Sequence, residues 1–340
     1  MQKRLLVVGS DSVHVHNFIE LVKGNFDKVV LLTDIRHRES KIRTIGIDFS
    51  LGWSSFENIK KIKDVIKNFQ PTTIHMHQAN SYSFLTLRAS ANYKCQKVLT
   101  AWGSDILLNP QDSFIMKQIV KYIINRVDAI TADSDTVLEA TQKLTKKALV
   151  LKNINFGIPP INCETFEKEY IIYSNRLHKS LYNIDKIIHA FARLYQTEPY
   201  WRLIVAGDGE KTLELKQLVR SLGVEQAVEF VGWVDTAQNN YYYCKSKIYA
   251  SIPSSDSISL SLVEAICAGC VPFVSDIQAN REIITHDLGF IIHDLNQLDF
   301  KRYLEIERNR YEYRREEIRD RFSKELNKEK YIALYESYNG

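Results

Sequence analysis

Residues 254–265 read SSDSISLSLVEA, and the fold class of the chain is clearest in this segment. Its serines favour helix caps, and the apolar residues from Leu260 onward recur at helical spacing, so we predict a loop that turns into a helix. Gly269 marks the end of that helix, and residues 271–274 have the pattern of a short buried strand. A loop, a helix and a buried strand in this order are typical of a parallel α/β sheet.

Two carboxylates frame this junction. Asp256 stands before the predicted helix and Glu264 stands within it. The first turn of a helix leaves backbone N–H groups unpaired, and its partial positive charge favours an anion such as phosphate. The junction is therefore a candidate site for an anionic ligand. The alternative is an ordinary capped helix whose acidic residues are solvated.

Length and composition indicate a soluble protein of about two domains. The chain has 340 residues, of which 45% are hydrophobic and 25% are charged. Its apolar runs fall short of the roughly 20 residues that a membrane span needs, and a strand-like segment comes directly after Arg4, so we expect a cytoplasmic protein. The formal net charge of +4 is too small to indicate a nucleic-acid partner.

Positive charge is concentrated in the first half of the chain. Residues 1–165 contain 22 Lys and Arg against 15 Asp and Glu, a net charge of +7. Two basic amphipathic segments, Ile59–Phe69 and Phe114–Ile124, could turn an apolar stripe toward lipid, so we expect reversible association with an anionic membrane. The alternative is that these stripes cover the domain's own sheet; their residues include Ile62, Ile66, Ile119 and Ile123.

The cysteines do not suggest a disulfide framework. There are five, an odd number, scattered between Cys95 and Cys270. Cys267 and Cys270 form a C-x-x-C pair, but no second pair or histidine cluster accompanies it to complete a zinc set. We interpret these two as small residues that pack behind the junction.

Strand-like runs alternate with helical patterns along most of the chain, which is typical of parallel β-α-β units. Gly157, Pro159 and Pro160 interrupt this alternation, and it restarts near Tyr170. We therefore predict two doubly wound α/β domains facing a cleft, at residues 1–160 and 161–322, with a terminal helix in 323–340. Ligands of such domains bind at the carboxyl ends of the strands.

A basic loop comes after the first predicted strand of the second domain. Arg176 offers a planar fork of donors and Lys179 a point charge, a suitable pair for a diphosphate. The alternative is a solvated basic loop. Gly9, which ends the first strand of the first domain, would let the backbone approach a phosphate closely.

These motifs together resemble those of the retaining family 4 glycosyltransferases. Asp256 and Glu264 resemble the family's Glu-x7-Glu signature in the branch where Asp-Ser replaces the first Glu-Gly, and residues 275–282, SDIQANRE, resemble the segment that comes after the signature in that branch. Residues 175–179, NRLHK, resemble the family's Gly-Arg-Leu…Lys motif. The resemblance implies the GT-B fold, with an acceptor-side domain, a nucleotide-sugar domain and a terminal helix that returns to the first domain.

The resemblance also implies site residues. Arg176 and Lys179 would stabilise the departing diphosphate, and Asp256 would hold hydroxyls of the transferred sugar. Glu264 would bind the ribose hydroxyls, and the backbone near Val234 would contact the base. The remaining residues expected to bind the donor are Gly9, Ser257, Ser259, Leu260 and Ser261.

The acceptor side is expected in the first domain. His77 ends a predicted strand and is a candidate to contact the acceptor. A metal site that it forms with His75 would lack a third ligand, so we expect no metal. Related enzymes often carry His where Trp102 stands; Trp cannot take a proton, and Asp105 is the better polar candidate.

By this resemblance the chain is expected to transfer a sugar from a nucleotide diphosphate sugar, a UDP-sugar being favoured, with retention and without a metal or other cofactor. The acceptor would be a hydroxyl of a glycan or lipid-linked acceptor in cell-surface polysaccharide or glycoconjugate synthesis. One alternative is a sugar-nucleotide 2-epimerase, which has the same fold but needs no acceptor. Another is a non-catalytic partner that binds a nucleotide sugar.

Overall fold

The computed structural model describes residues 2–34, 42–256 and 258–338 and divides the chain into two compact units. The first unit contains the residues up to Gly157 together with those from Lys324 onward, and the second unit is Ile158–Ser323. Each unit is built around one parallel sheet.

The sheet of the first unit has seven strands among the described residues, in the order β3-β2-β1-β4-β5-β6-β7. Leu6 of β1, which lies between β2 and β4, is in register with Val30 on one side and Ile74 on the other. The strands are β1 (Arg4–Val8), β2 (Lys28–Thr33), β3 (Arg43–Gly46), β4 (Thr73–His77), β5 (Gln96–Thr100), β6 (Ala129–Ala132) and β7 (Leu151–Asn153).

The helices of this unit cover both faces of the sheet. They are α1 (Val13–Val22), α2 (Ser55–Phe69), α3 (Ser81–Ala89), α4 (Ser104–Leu107), α5 (Asn109–Asp112), α6 (Phe114–Ile124) and α7 (Asp135–Lys143). Helices α2, α3, α6 and α7 contribute to the core on one face, and α1 contributes to the core on the other.

The apolar stripes of α2 and α6 face the core that these helices form with α3, α7 and the sheet. The stripe residues Ile62, Ile66, Ile119 and Ile123 are all buried in it. The expectation that these stripes turn toward lipid is therefore wrong, because the domain's own sheet already covers them.

The terminal helix, Lys324–Glu336, packs on the first unit beside α1. The hydroxyl of its Tyr335 lies 2.8 Å from Nδ1 of His75, whose Nε2 lies 2.7 Å from the Thr100 hydroxyl. The amide of Gln96 donates to the carbonyl of Leu334 at 3.0 Å. His75 is thus a buried residue that links the sheet to this helix.

The second unit has a six-stranded sheet among the described residues, in the order β10-β9-β8-β11-β12-β13. Its strands are β8 (Glu169–Ser174), β9 (Arg202–Ala206), β10 (Val228–Gly232), β11 (Ser246–Ser251), β12 (Val271–Ser275) and β13 (Phe290–Ile292). Its helices are α8 (Ile184–Tyr195), α9 (Thr212–Ser221), α10 (Thr236–Lys245), α11 (Leu260–Cys267), α12 (Gln278–Arg281) and α13 (Arg308–Arg321). The loop, helix and strand predicted around residues 254–274 are all observed. The loop precedes α11, the helix is α11 and the strand is β12.

The cysteines of the second unit correct one expectation. Cys163 and Cys244 form a disulfide across a sequence separation of 81 residues, so the expectation of no disulfide is wrong. Their pairing depends on the fold that brings the segment before β8 against α10. Cys267 and Cys270 are free and buried, which agrees with their interpretation as packing residues.

No helix within the described residues is both long and apolar enough to cross a membrane.

Candidate functional site

The loop after β8 and the start of α11 bring three of the predicted donor-site residues together. Nη1 of Arg176 donates to the hydroxyl of Ser259 at 2.7 Å, and Nη2 pairs with Oδ2 of Asp256. The guanidinium carbon also lies 4.5 Å from the centre of the Tyr182 ring. The guanidinium is therefore held by a carboxylate, a hydroxyl and an aromatic face.

Two glycines explain how the backbone of this basic loop is supported. A Cβ atom on Gly207 would lie 2.6 Å from the carbonyl oxygen of Arg176, and one on Gly209 would lie 2.6 Å from that of His178. Gly207 also has a positive φ of 102°, which favours glycine. The turn after β9 thus packs directly beneath the loop that carries Arg176.

His178 lies within this loop but is buried. Its Nδ1 lies 2.8 Å from the hydroxyl of Thr212. Burial lowers the pKa of His178, so the ring is neutral at physiological pH. The contacts of His178 therefore tie the loop to α9.

Lys179 differs from Arg176 in its surroundings. Its side chain is exposed and makes no hydrogen bond or ion pair with the residues that the structure describes. The segment after it is tied to the Asp256 loop, because the Asn183 amide donates to the Ile252 carbonyl at 2.8 Å and to the Ser254 hydroxyl at 3.0 Å. The structure thus fixes the loop beside Lys179 but leaves its amine outside the Arg176–Asp256 pair.

Glu264 lies half-buried on α11 at the end of a polar network. Its Oε2 accepts from the Tyr243 hydroxyl at 3.2 Å, and that hydroxyl accepts from Nδ2 of Asn175 at 2.8 Å. The Tyr249 hydroxyl in turn donates to Oδ1 of Asn175 at 2.8 Å. Burial raises the pKa of Glu264, and the hydrogen bond from Tyr243 opposes that rise.

Asn175, Tyr243 and Tyr249 were missed by reasoning from the sequence. Asn175 occupies the position of the glycine in the Gly-Arg-Leu motif, and this departure was the available signal. A side chain in place of glycine needs room, and the amide fills it by bonding to both tyrosines and to Oδ1 of Asn239 at 2.9 Å. The tyrosines lie on α10 and β11, so only the fold brings them to Asn175.

The other predicted donor residues of the second unit occupy different environments. Ser261 is in the first turn of α11, and Nδ2 of Asn175 is 3.5 Å from its hydroxyl. Leu260 and Val234 are partly buried and pack against the hydrophobic core. Ser257 lies outside the described residues.

The packing around Gly9 in the first unit leaves little room for a side chain. A Cβ atom there would lie 3.1 Å from Cβ of His77 and 3.3 Å from Cγ2 of Val15. The close approach of β4 and α1 therefore gives the glycine a reason within the fold, and its expected approach to a phosphate stays a prediction.

The two residues predicted for the acceptor side are both buried. His77 ends β4 and its Nδ1 accepts from the indole of Trp102 at 3.3 Å, while its Nε2 has no partner among the described residues. Burial, with a smaller effect of His14, lowers the pKa of His77 to about 3, so the ring is neutral.

Asp105 is buried and bonded to two loops of the first unit. Its Oδ2 accepts from the backbone N–H of Ala79 at 2.6 Å, and its Oδ1 accepts from that of Trp102 at 2.9 Å. Asp105 is only 2% exposed, and burial raises the pKa of its carboxyl group. These contacts give the carboxylate a structural role, because it holds together the loops after β4 and β5; its role on the acceptor side stays a prediction.

Within the described residues, no group of three or more His, Cys, Asp or Glu side chains is placed to hold a metal ion. His75 and His77 do not complete such a set, since His75 is bonded to Tyr335 and Thr100.

Comparison with known proteins assigns both units to one group. Residues 162–329 match the family model of glycosyl transferases group 1, and residues 3–134 match the glycosyl transferase 4-like model. N-acetyl-alpha-D-glucosaminyl L-malate synthase of Bacillus anthracis is 23% identical over 297 residues, 81% of this chain and 77% of the relative. Alpha-monoglucosyldiacylglycerol synthase of Streptococcus pneumoniae is 21% identical over 63% of this chain and 54% of the relative.

Solved structures agree at the level of the fold. Anabaena HepE in complex with UDP superimposes with a TM-score of 0.80 at 16% identity, over 99% of this chain and 100% of that one. Its complex with UDP-glucose gives a TM-score of 0.74. With two parallel α/β units and a glycosyltransferase model matched to each, the predicted fold is confirmed: the chain is a family 4-like glycosyltransferase of the GT-B fold.

Proposed function

We propose that this glycosyltransferase transfers a sugar from a UDP-sugar to a hydroxyl group of a glycan or lipid-linked acceptor, with retention of configuration. The product would belong to a cell-surface polysaccharide or glycoconjugate. The observation that carries the proposal is the Arg176–Asp256–Ser259 cluster beside Glu264 in the second unit. The choice of UDP as the nucleotide is supported by the HepE complexes with UDP and with UDP-glucose.

Arg176 would supply the positive charge that the leaving diphosphate needs. A guanidinium presents several donors in a rigid plane, and Asp256, Ser259 and Tyr182 together hold that plane in place. Donors fixed in advance stabilise developing charge without reorganising, which is often a large contribution to catalysis. Lys179, exposed at the end of the same loop, would add a second cation, and with both cations present a metal would not be needed.

The two carboxylates would bind the rest of the donor. A carboxylate accepts several hydrogen bonds at once, so Asp256 could keep Arg176 in place and also bind a sugar hydroxyl. Glu264, oriented by Tyr243, would accept the two ribose hydroxyls. Asp is one methylene shorter than the Glu of the related signature, so the identity of the sugar does not follow from the resemblance.

Retention would result if both bond changes occur on one face of the sugar. The bond from C1 to the diphosphate oxygen breaks, the acceptor oxygen bonds to C1, and the leaving phosphate takes the acceptor proton. This route requires no nucleophile from the protein. Both curated relatives have names that specify an alpha linkage, and a donor such as UDP-glucose is itself alpha-linked, which supports retention.

The proposal extends to where the protein works. We infer a cytoplasmic protein that associates with the inner face of the plasma membrane, where a lipid-linked acceptor would be available. The support is the net charge of +7 over residues 1–165 and a relative named for a glycosylated diacylglycerol.

The test is a screen of UDP-, GDP- and ADP-sugars by calorimetry, with turnover then measured for the donor that binds. We expect a UDP-sugar to bind and an acceptor to be required for sugar transfer, and the anomeric proton coupling in the NMR spectrum of the product to match that of the donor. Release of UDP and an epimerised sugar from donor alone would identify the epimerase. An inverted product would contradict retention.

A further inference from the structure

Six of the large apolar side chains that the first unit exposes to solvent are grouped in two short segments. One segment includes the first turn of α2 and the other includes the first turn of α6, and we call the six side chains the apolar rim: Leu51, Trp53, Phe56, Leu108, Phe114 and Ile115. Trp53 is fully exposed, Phe56 is 80% exposed and Phe114 is 76% exposed. Isolated exposed apolar residues are ordinary, but two clusters that include three aromatic rings indicate a surface that another phase or molecule covers.

Both segments lie at the same edge of the sheet. Since all strands of the first unit are parallel, a helix that follows a strand begins at the edge where the strand ends. The starts of α2 and α6 are therefore at the carboxyl edge, where β4 ends at His77. Helix α3 packs against both α2 and α6, so the two clusters are about 20 Å apart, two helix spacings.

Aromatic contacts fix this arrangement. Phe49, just before the rim, stacks on Tyr82 of α3 with ring centroids 4.4 Å apart. Phe84 of α3 contacts Tyr122 of α6 with ring centroids 5.0 Å apart. The rim is thus presented by a packed layer of helices whose own apolar stripes are already buried.

The charge of the two helices that begin at the rim indicates its occupant. Helix α2 has four exposed lysines against two acidic side chains, and α6 has two lysines and no Asp or Glu within Phe114–Ile124. Aromatic side chains at the level of the head groups, with lysines alongside, are typical of surfaces that lie in an anionic membrane interface. The lysines are Lys60, Lys61, Lys63, Lys67, Lys117 and Lys121.

We propose that the apolar rim inserts into the interface of an anionic bilayer and holds the carboxyl edge of the first unit's sheet at the membrane surface. The inference deepens the proposed function, on which it rests for the lipid-linked acceptor. In this arrangement the segments at the starts of α2 and α6 enter the membrane. The apolar stripes along the lengths of these helices do not, because they are buried.

The experiment measures flotation of the full-length protein with vesicles of phosphatidylcholine and phosphatidylglycerol, and with phosphatidylcholine alone. The rim variants are Trp53→Ser with Phe56→Ser, and Phe114→Ser with Ile115→Ser. The matched control is Leu213→Ser with Leu304→Ser, because these leucines of the second unit are 71% and 83% exposed. We expect each rim variant to lower the vesicle-bound fraction about tenfold on anionic vesicles, with the control unchanged.

A second measurement does not depend on loss of binding. Trp53→Phe keeps an aromatic ring in the rim, so it should bind anionic vesicles like the unmodified protein. Quenching of tryptophan fluorescence by brominated lipid should be lost in this variant if Trp53 enters the bilayer. Retained quenching would place another tryptophan there and overturn the proposal.

Two further outcomes would overturn it. One is vesicle binding by the rim variants that equals that of the unmodified protein, which would leave charge alone as the cause. The other is a dimer that the rim variants disrupt without any vesicle binding, which would assign the surface to a second copy. UDP affinity and turnover with a water-soluble acceptor are measured on every variant; their absence in the unmodified protein would contradict the proposed function and not the rim.

Discussion

The hydroxyl of Tyr243 lies 3.2 Å from Oε2 of Glu264, and Nδ2 of Asn175 lies 2.8 Å from that hydroxyl. Asn175 immediately precedes Arg176, which pairs with Asp256. One loop therefore carries the residue proposed to contact the diphosphate and also the residue that bonds to Tyr243, whose hydroxyl orients the carboxylate proposed to contact the ribose.

Tyr243→Phe should weaken UDP binding while leaving the Arg176–Asp256 pair intact. The lost hydrogen bond to a carboxylate is worth about 1.5 kcal/mol, or roughly tenfold in affinity. Because that bond lowers the pKa of Glu264 against the effect of burial, the variant should raise this pKa further. Calorimetry across a pH series should show affinity falling on acidification, and falling at a higher pH in Tyr243→Phe. An unchanged pH profile would mean that Glu264 does not contact the nucleotide as a carboxylate.

Glu264→Ala and Arg176→Ala should separate binding from turnover. The first removes the proposed ribose contact and should weaken donor binding by about tenfold or more, and the second removes transition-state charge and should lower kcat by about 100-fold. Donor affinity and turnover are measured for both.

The controls for this pair are Glu229→Ala and Arg202→Ala. These two residues form an exposed ion pair, with 3.1 Å between Arg202 Nη2 and Glu229 Oε2, on neighbouring strands β9 and β10. Both control variants should keep affinity and rate. If Glu264→Ala and Arg176→Ala behave like them, the donor-site assignment is wrong.

The sequence predicted those features that depend on local pattern. The alternation of strands and helices indicated two α/β units, and the spacing of Asp256 and Glu264 located the loop and helix that receive Arg176. Features that depend on packing were not predictable. Cys163 and Cys244 pair across 81 residues, and nothing near either cysteine identifies its partner.

Burial accounts for other features that the sequence did not predict. Asp105 is a residue type that is common in binding sites. Whether its carboxylate faces a ligand or two backbone N–H groups depends on loops that only the fold brings together. The stripes of α2 and α6 have the same amphipathic pattern whether they face lipid or a sheet. The strands packed beneath these helices decide whether the stripes face lipid or the sheet, and no local pattern within either helix identifies those strands.

Chelation should leave the activity unchanged. Arg176 and Lys179 are expected to provide the charge that a divalent ion would otherwise supply to the diphosphate. Turnover is measured after dialysis against EDTA and again after adding Mg²⁺ or Mn²⁺. Loss of turnover on chelation, restored by either ion, would show that a metal participates.

Gly207→Ala should destabilise the second unit and lower donor turnover together. The added Cβ would lie 2.6 Å from the carbonyl oxygen of Arg176, a backbone atom that cannot move without shifting the guanidinium. Gly207 also has a positive φ of 102°, so alanine adds strain of about 1–3 kcal/mol even before the clash. Gly24→Ala is the matched control, because a Cβ there meets nothing within 4 Å. Thermal unfolding should show a lower midpoint for Gly207→Ala alone, and kcat should fall because Arg176 is displaced. A Gly207→Ala protein with unchanged stability and turnover would mean that the turn after β9 does not support the Arg176 loop.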